Sequence, residues 1–446
     1  MATADPPVAT DPQSVLRSRG YLVLVGLGAL LGVPVSAAAF GFLELVRLMN
    51  EGLYDHLPGA LGFHGEPAWW PVPVVGVSGV LVALAVRHLP GGGGHDPADG
   101  FTAAATRPIS VPGVVLAALA TLGFGAVLGP EAPLIAVGSA LGMLAVRLAR
   151  KDAPPTAQLV VASAGSFAAL GTILGSPLVA ALFMLEAVGL GGPALSLVIL
   201  PGLLAAGVGS LVFIGLGTWT GLGTFSLAIP DLPALARPTP AELGWALAVG
   251  LAGAAAALVL RRGAVWVRDR TKPRMLVVVP LLGLAVGALA MGFGQATGKP
   301  SSDVLFSGQD LIGPLIGSAA TWSVGALLLL VACKGLAYAL SLGGFRGGPI
   351  FPALLLGAAG GIAASHLPGL GLVPAVAMGM GAMTAAMLRL PVVAVALPTI
   401  LLFSDGIAVA PVVIVAVVVS YLATGWLDPK PAAATPAPAA AVAGGG

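Results

Sequence analysis

Seven stretches of this chain run without a single charged residue: 20–39, 71–86, 110–128, 194–216, 243–260, 275–292 and 319–333. Several approach the ~18–20 residues that a helix needs to cross a bilayer. Only 9% of the 446 residues are charged and 57% are hydrophobic, against about a quarter charged in a soluble domain. So few charges cannot clothe a water-soluble surface of this size. The sequence therefore predicts an all-α, polytopic membrane helix bundle, with a lipid bilayer as its solvent. Other apolar segments are shorter and flanked by Gly and Pro. Those predict broken or re-entrant helices, which are tolerated only where they line a protein cavity.

The remaining composition narrows the partners. A net charge of +2 gives no case for nucleic acid. The single cysteine, Cys333, sits in an apolar run and reads as a small buried hydrophobe. His56, His64, His88, His95 and His366 lie mostly in loops beside Gly or Pro. No metal site or cofactor is indicated. Residues 1–13 are polar and do not form a secretory signal, and residues 429–446 are rich in Pro, Ala and Gly. Both are expected to be disordered tails around a transmembrane domain at 14–428, with no soluble regulatory domain after it. Orientation follows the Lys/Arg bias. Arg17, Arg19, Arg147, Arg150, Lys151 and the cluster from Arg261 to Arg274 are expected in the cytoplasm, with both termini, in the cell membrane. The acidic loops 51–66 and 303–310 are expected outside.

Two parts of the chain echo each other. Gly129-Pro-Glu-Ala-Pro133 opens one apolar segment, followed by Gly165-Ser-Phe-Ala-Ala and, twelve residues after Gly165, by Pro177. Gly347-Gly-Pro-Ile-Phe-Pro352 opens another, followed by Gly379-Met-Gly-Ala-Met and, twelve residues after Gly379, by Pro391. The order predicts duplicated, inverted halves at about 14–218 and 239–428, with a site where they meet.

Proline is favoured in the first turn of a helix, where its missing N–H costs nothing. Residues 129–133 and 347–352 therefore read as helix starts set inside the membrane. Free N–H groups and partial positive charge make such ends anion sites without a basic side chain. Gly129, Pro130, Ala132, Gly348, Ile350 and Phe351 are the candidate anion contacts. Between Arg107 and Asp231 the only acids are Glu131, Asp152 and Glu186. Asp152 follows Arg150 and Lys151 in a polar loop, whereas Glu131 and Glu186 sit in apolar stretches, where an ionisable residue is functional by default. Glu131 is a tethered anion at an anion site. It can occupy the pathway when charged and leave it when protonated or displaced, which makes it the candidate gate. Glu186 reads either as a proton-path residue or as a structural acid at a helix end. Lys334 and Arg389, the main basic candidates of the second half, are expected to snorkel to an interface.

These motifs resemble the voltage-gated chloride channel (CLC) family of anion channels and proton/anion antiporters, over most of the chain. Gly129-Pro-Glu-Ala-Pro133 is similar to the family's Gly-Lys/Arg-Glu-Gly-Pro, and Gly347-Gly-Pro-Ile-Phe-Pro352 to its Gly-Gly-x-Phe-x-Pro. Gly379-Met-Gly-Ala and Pro177-Leu-Val-Ala-Ala-Leu-Phe-Met-Leu-Glu186 also match. The resemblance implies a homodimer with one anion pathway per subunit and places Glu131 on the gating glutamate. Four departures stand out. The loop at 91–97, Gly-Gly-Gly-Gly-His-Asp-Pro, replaces a Gly-Ser-Gly-Ile-Pro filter and has no serine, leaving backbone at Gly93 and Gly94 as the candidate contacts. Pro349 stands where an amide N–H is usual. Alanine, within 431–435, takes the place of an inner tyrosine, with Tyr421 misplaced nearby. Ala187 follows Glu186 where antiporters carry an inner proton-transfer glutamate.

The sequence thus predicts transport of a small inorganic anion, chloride first, through a Glu131-gated pathway. The departures favour a passive channel, and a proton-coupled chloride, fluoride or nitrate antiporter is the alternative. An intramembrane enzyme built on Glu131, or on His95 with Asp96, lacks any nucleophile–base or phosphate-loop spacing, so the chain is not expected to be an enzyme. A family member that transports nothing is a further reading, motivated by the altered filter motifs.

Overall fold

The computed structural model describes residues 16–100, 105–188, 193–222, 238–402 and 406–428. The tails expected at 1–13 and 429–446 lie outside these residues, as does the alanine-containing segment 431–435.

Proline sets many of the helix starts. In chain order the helices are α1 (Arg19–Glu51), α2 (Pro71–His88), α3 (Val111–Leu122), α4 (Glu131–Ala149), α5 (Pro155–Ile173), α6 (Pro177–Val188), α7 (Pro193–Thr220) and α8 (Pro240–Thr271). They continue as α9 (Met275–Thr297), α10 (Gln309–Gly317), α11 (Val324–Gly344), α12 (Ile350–Ala364), α13 (Leu372–Leu388), α14 (Pro391–Leu401) and α15 (Gly406–Leu427). α2, α5, α6, α7, α8 and α14 all begin on a proline, for the N–H reason given above. α8 adds a reciprocal cap: Glu242 N donates to Thr239 Oγ1 (3.3 Å) and Thr239 N to Glu242 Oε2 (2.8 Å).

Among the described residues, eight helical stretches are long and apolar enough to cross a membrane. α6, α12, α13 and α14 are shorter apolar helices, as the interrupted hydrophobic pattern predicts. α12 and α13 are apolar all round and buried all round; Ile350, Phe351, Leu354, Ala358, Met378 and Met380 are fully buried. The long outer helices α1 and α8 leave Leu22, Leu30, Leu247 and Leu251 exposed, an apolar outer face suited to lipid. The chain is an integral membrane protein.

The duplication is visible in the packing. α4 lies on α5, α5 on α7 and α1 on α7; in the second half α12 lies on α13, α13 on α15 and α8 on α15. The halves pack on each other along α2 and α9, and at the two motifs they are joined by an antiparallel bridge between Gly129 and Gly348. Gly129 N donates to Gly348 O (2.7 Å) and Gly348 N to Gly129 O (2.6 Å). Nine residues beyond each bridge glycine stands a crossing glycine, Gly138 in α4 and Gly357 in α12. Gly138 touches Gly165 of α5, and Gly357 touches Gly379 of α13, backbone on backbone. In this register Pro130 corresponds to Pro349, and Glu131 to Ile350.

These crossings leave no room for a methyl group. A Cβ on Gly165 would fall on the Gly138 carbonyl, and backbone has little freedom to move aside. Gly165→Ala is expected to destabilise by about 1–3 kcal/mol and to lower the yield of monodisperse protein in detergent. A wild-type elution profile and thermal midpoint for this variant would contradict the crossing.

Candidate functional site

The bridge brings two helix N-termini face to face. Pro130 precedes α4 and Pro349 precedes α12, so neither start spends an N–H on the preceding loop. Side chains from neighbouring helices hold the two approaching segments. Ser341 Oγ of α11 accepts from Val127 N (3.0 Å), and Thr121 Oγ1 of α3 accepts from Arg346 N (3.2 Å). Tyr338, one turn before Ser341, is fully buried and donates its hydroxyl to Pro349 O (2.8 Å).

Glu131 is the first residue of α4 and is fully buried. Its side chain crosses to the opposite helix start. Oε1 accepts from Ile350 N (2.8 Å) and Phe351 N (3.1 Å), the free amides of the first turn of α12. The carboxylate thus occupies the position those amides would offer to a free anion. Oε2 is buried with no hydrogen-bond partner among the described residues. It lies against Gly129 and Gly348, where any side chain would overlap it.

Two cavities approach this point. One, of 510 Å³, is bordered by Pro130 and lined by Glu51, Asp55, Glu66, Asp303 and Asp310, with Arg47. The other, of 340 Å³, is bordered by Ala132 and Pro133 and lined by Gly93, Gly94, Arg107 and Arg346. Glu131, between Pro130 and Ala132 in the chain, lines neither. The Glu131 backbone thus lies between a residue that borders an acidic chamber and one that borders a basic chamber. In the acidic chamber burial raises the carboxyls of Glu66, Asp303 and Asp310 above the usual carboxylate range. The bond from Ser301 opposes this at Glu66, and the charges of Lys334 and Lys299 oppose it at Asp303.

The structure gathers Gly129, Pro130, Ala132, Gly348, Ile350 and Phe351 around Glu131. Gly93 and Gly94 stand apart, on the wall of the basic cavity. All four glycines of that loop have positive φ (86°, 58°, 74° and 94°), a path that side-chain-bearing residues resist. Glu186 is elsewhere. Its two oxygens accept from Val392 N and Val393 N, both at 2.9 Å, and so cap the start of α14.

One basic residue differs from its sequence reading. Lys334 does not snorkel to an interface: it is fully buried, and Nζ donates to the carbonyls of Asp303 (3.1 Å), Val304 (3.1 Å) and Leu305 (2.7 Å). Helical spacing puts Lys334, Tyr338 and Ser341 on one inward face of α11. Arg389, in the left-handed conformation after α13, pairs with Asp428 (2.7 Å). Arg346 escaped the sequence reading, hidden in an apolar-looking Gly-Gly-Phe-Arg-Gly-Gly run. The available signal was a lone cation immediately before a buried helix start.

Paired buried helix starts, a carboxylate across them and a chamber on each side define a membrane protein that passes anions. A family model described as voltage gated chloride channel matches residues 102–425, well over half of the chain, and the chain belongs to this family. Its members are channels or transporters rather than enzymes. The chain is similar to the Escherichia coli protein YfeO, provisionally named an ion-transport protein: 29% identity over 360 residues, covering 79% of this chain and 81% of YfeO. Its fold matches the crystal structure of a slow cyanobacterial Cl⁻/H⁺ antiporter with a TM-score of 0.72 at 18% identity, covering 92% of this chain and 95% of the other. It also matches a CLC-type fluoride/proton antiporter with a TM-score of 0.63 at 20% identity, covering 90% and 95%.

Proposed function

We propose that this protein exchanges a small monovalent inorganic anion, chloride as the reference ion, for protons, with Glu131 as the shared gate. The observation that carries the reading is the Glu131 carboxylate itself, seated on the Ile350 and Phe351 amides and sealing one chamber from the other. A group that blocks both chambers at once is suited to exchange. When it leaves, an anion can take the amides; when it returns, the anion is expelled. The orphan Oε2 is placed to exchange a proton with the acidic chamber, whose raised carboxyls hold protons to higher pH than free carboxylates do. Both structurally similar antiporters point the same way.

A passive, Glu131-gated channel is the second reading. Ala187 favours it, because no acid follows Glu186, and Glu186 itself is engaged on α14. The wider setting we propose is a homodimer in the cell membrane, with both termini cytoplasmic and repeat halves at about 14–218 and 239–428. The basic chamber would face the cytoplasm. Lys272 and Arg268, at the cationic end of α8, pair with Asp96 and Asp99 beside that chamber, which fits the Lys/Arg rule.

The test is purified protein in liposomes with chloride and pH electrodes recorded together. Chloride efflux that drives protons against their gradient is expected. Chloride efflux without uphill proton movement would establish the channel instead. Both oxygens of Glu186 are already bound, so Glu186→Gln is expected to leave the coupling intact. Loss of proton movement with anion flux retained would put Glu186 on the proton route.

A further inference from the structure

We propose that Arg346 forms an anion-binding subsite in the basic cavity and that its guanidinium makes this subsite prefer a small planar oxyanion, such as nitrate, to a spherical halide. The subsite rests on the anion-transport reading above and names the ligand class of the same pathway.

Arg346 is 8% exposed. A buried cation is costly unless a counterion satisfies it, yet among the described residues no carboxylate lies within ion-pair distance of it. The two acids that act on it through space are Asp96 and Asp99. Both are already answered by other cations, Asp96 by Lys272 (3.8 Å) and Asp99 by Arg268. Arg107 adds a second positive charge to the same wall. The chamber therefore carries uncompensated positive charge beside the helix starts that Glu131 closes.

The guanidinium is fixed rather than free. Nε donates to Gly92 O (3.4 Å) and Nη1 to Phe345 O (3.0 Å). These bonds anchor the stem on the glycine loop and on its own backbone. The loop brings no hydroxyl between Gly91 and Gly94; Thr106 and Ser110 line the same cavity with single hydroxyls, whereas the planar pair of donors on this side is the Arg346 guanidinium's. Its planar fork offers parallel donors that match two oxygens of a planar oxyanion. A spherical ion gains less from that geometry. The volume of 340 Å³ holds such an anion with several waters, each taking about 30 Å³.

The experiment is titration calorimetry on the purified full chain in detergent with sodium nitrate and sodium chloride, on the wild type, Arg346→Lys and Arg346→Gln. Binding is read without transport, so a chain that binds nitrate but moves no anion in liposomes would defeat the transport reading and leave the subsite standing. The wild type is expected to bind nitrate more tightly than chloride. Arg346→Lys keeps the charge but loses the fork, and should cut the nitrate-to-chloride affinity ratio about tenfold, the equivalent of one hydrogen bond. Arg346→Gln should weaken both anions. Equal wild-type affinities, or an unchanged ratio in the monodisperse Arg346→Lys protein, would overturn the proposal. If neither variant can be purified, the wild-type ratio alone still decides it.

Discussion

Glu131→Gln is expected to raise chloride flux at neutral pH by about tenfold and to make it independent of pH. The wild-type side chain holds its place through two bonds that Ile350 N and Phe351 N donate to Oε1, both charge-assisted when the carboxylate is ionised. Charge assistance is worth roughly 1 kcal/mol per bond over a neutral partner, so its loss shifts the competition with a free anion by at least a factor of ten. Glutamine also brings an NH₂ donor to a place already crowded with donors, which favours departure. The sign with pH follows from the same bonds. Acid protonates the wild-type gate, removes its charge and frees the amides, so wild-type flux rises as pH falls. Glutamine cannot take up that proton, and its flux stays level. Coupled proton movement should vanish with it. Liposome efflux over a pH series checks all three, and a mutant matching the wild type in flux and pH slope would remove Glu131 from the gate.

Lys334→Met should cost about 3 kcal/mol or more of stability and loosen the wall of the acidic chamber. Methionine is close in length and fits the space, so packing alone predicts a small effect. The loss arises instead from the carbonyls of Asp303, Val304 and Leu305, which give up their common donor while buried. An unsatisfied buried acceptor costs roughly 1–3 kcal/mol. Because this strand of chain lies beside Asp303 and Asp310, anion flux should fall together with the thermal midpoint in detergent. A midpoint equal to the wild type would mean that water replaces the ammonium.

The helix starts were legible because they rest on local chemistry: proline and glycine punctuate the chain wherever a helix begins inside the membrane. Glu131 was legible because an acid in an apolar run has few bland explanations. The seat of its carboxylate was not, because Ile350 and Phe351 contribute backbone amides, which carry no mark in the sequence. Glu186 shows the same limit from the other side. Its apolar surroundings left open a proton path or a structural acid at a helix end, and its partners, the amides of Val392 and Val393 two hundred residues away, carry no mark in the sequence. Lys334 was misjudged because an apolar run does not reveal which face turns inward. Its correct placement needed the face shared with Tyr338 and Ser341. The preference for a passive channel rested on absent residues, and the folds this chain matches include chloride/proton and fluoride/proton antiporters, which support the exchange reading at least as well.

The doubled bond between Gly129 and Gly348 has a mechanical consequence. It ties the start of α4 to the start of α12 beside the proposed gate, so a swing of one half against the other there would have to break both bonds. Rocking carriers move tens of residues on a microsecond-to-millisecond clock. On the proposed reading the molecule works as a fixed turnstile frame with one short arm, opened by a torsion of the Glu131 side chain. The pace of transport would then follow how often that arm is released, not the inertia of the scaffold that carries it.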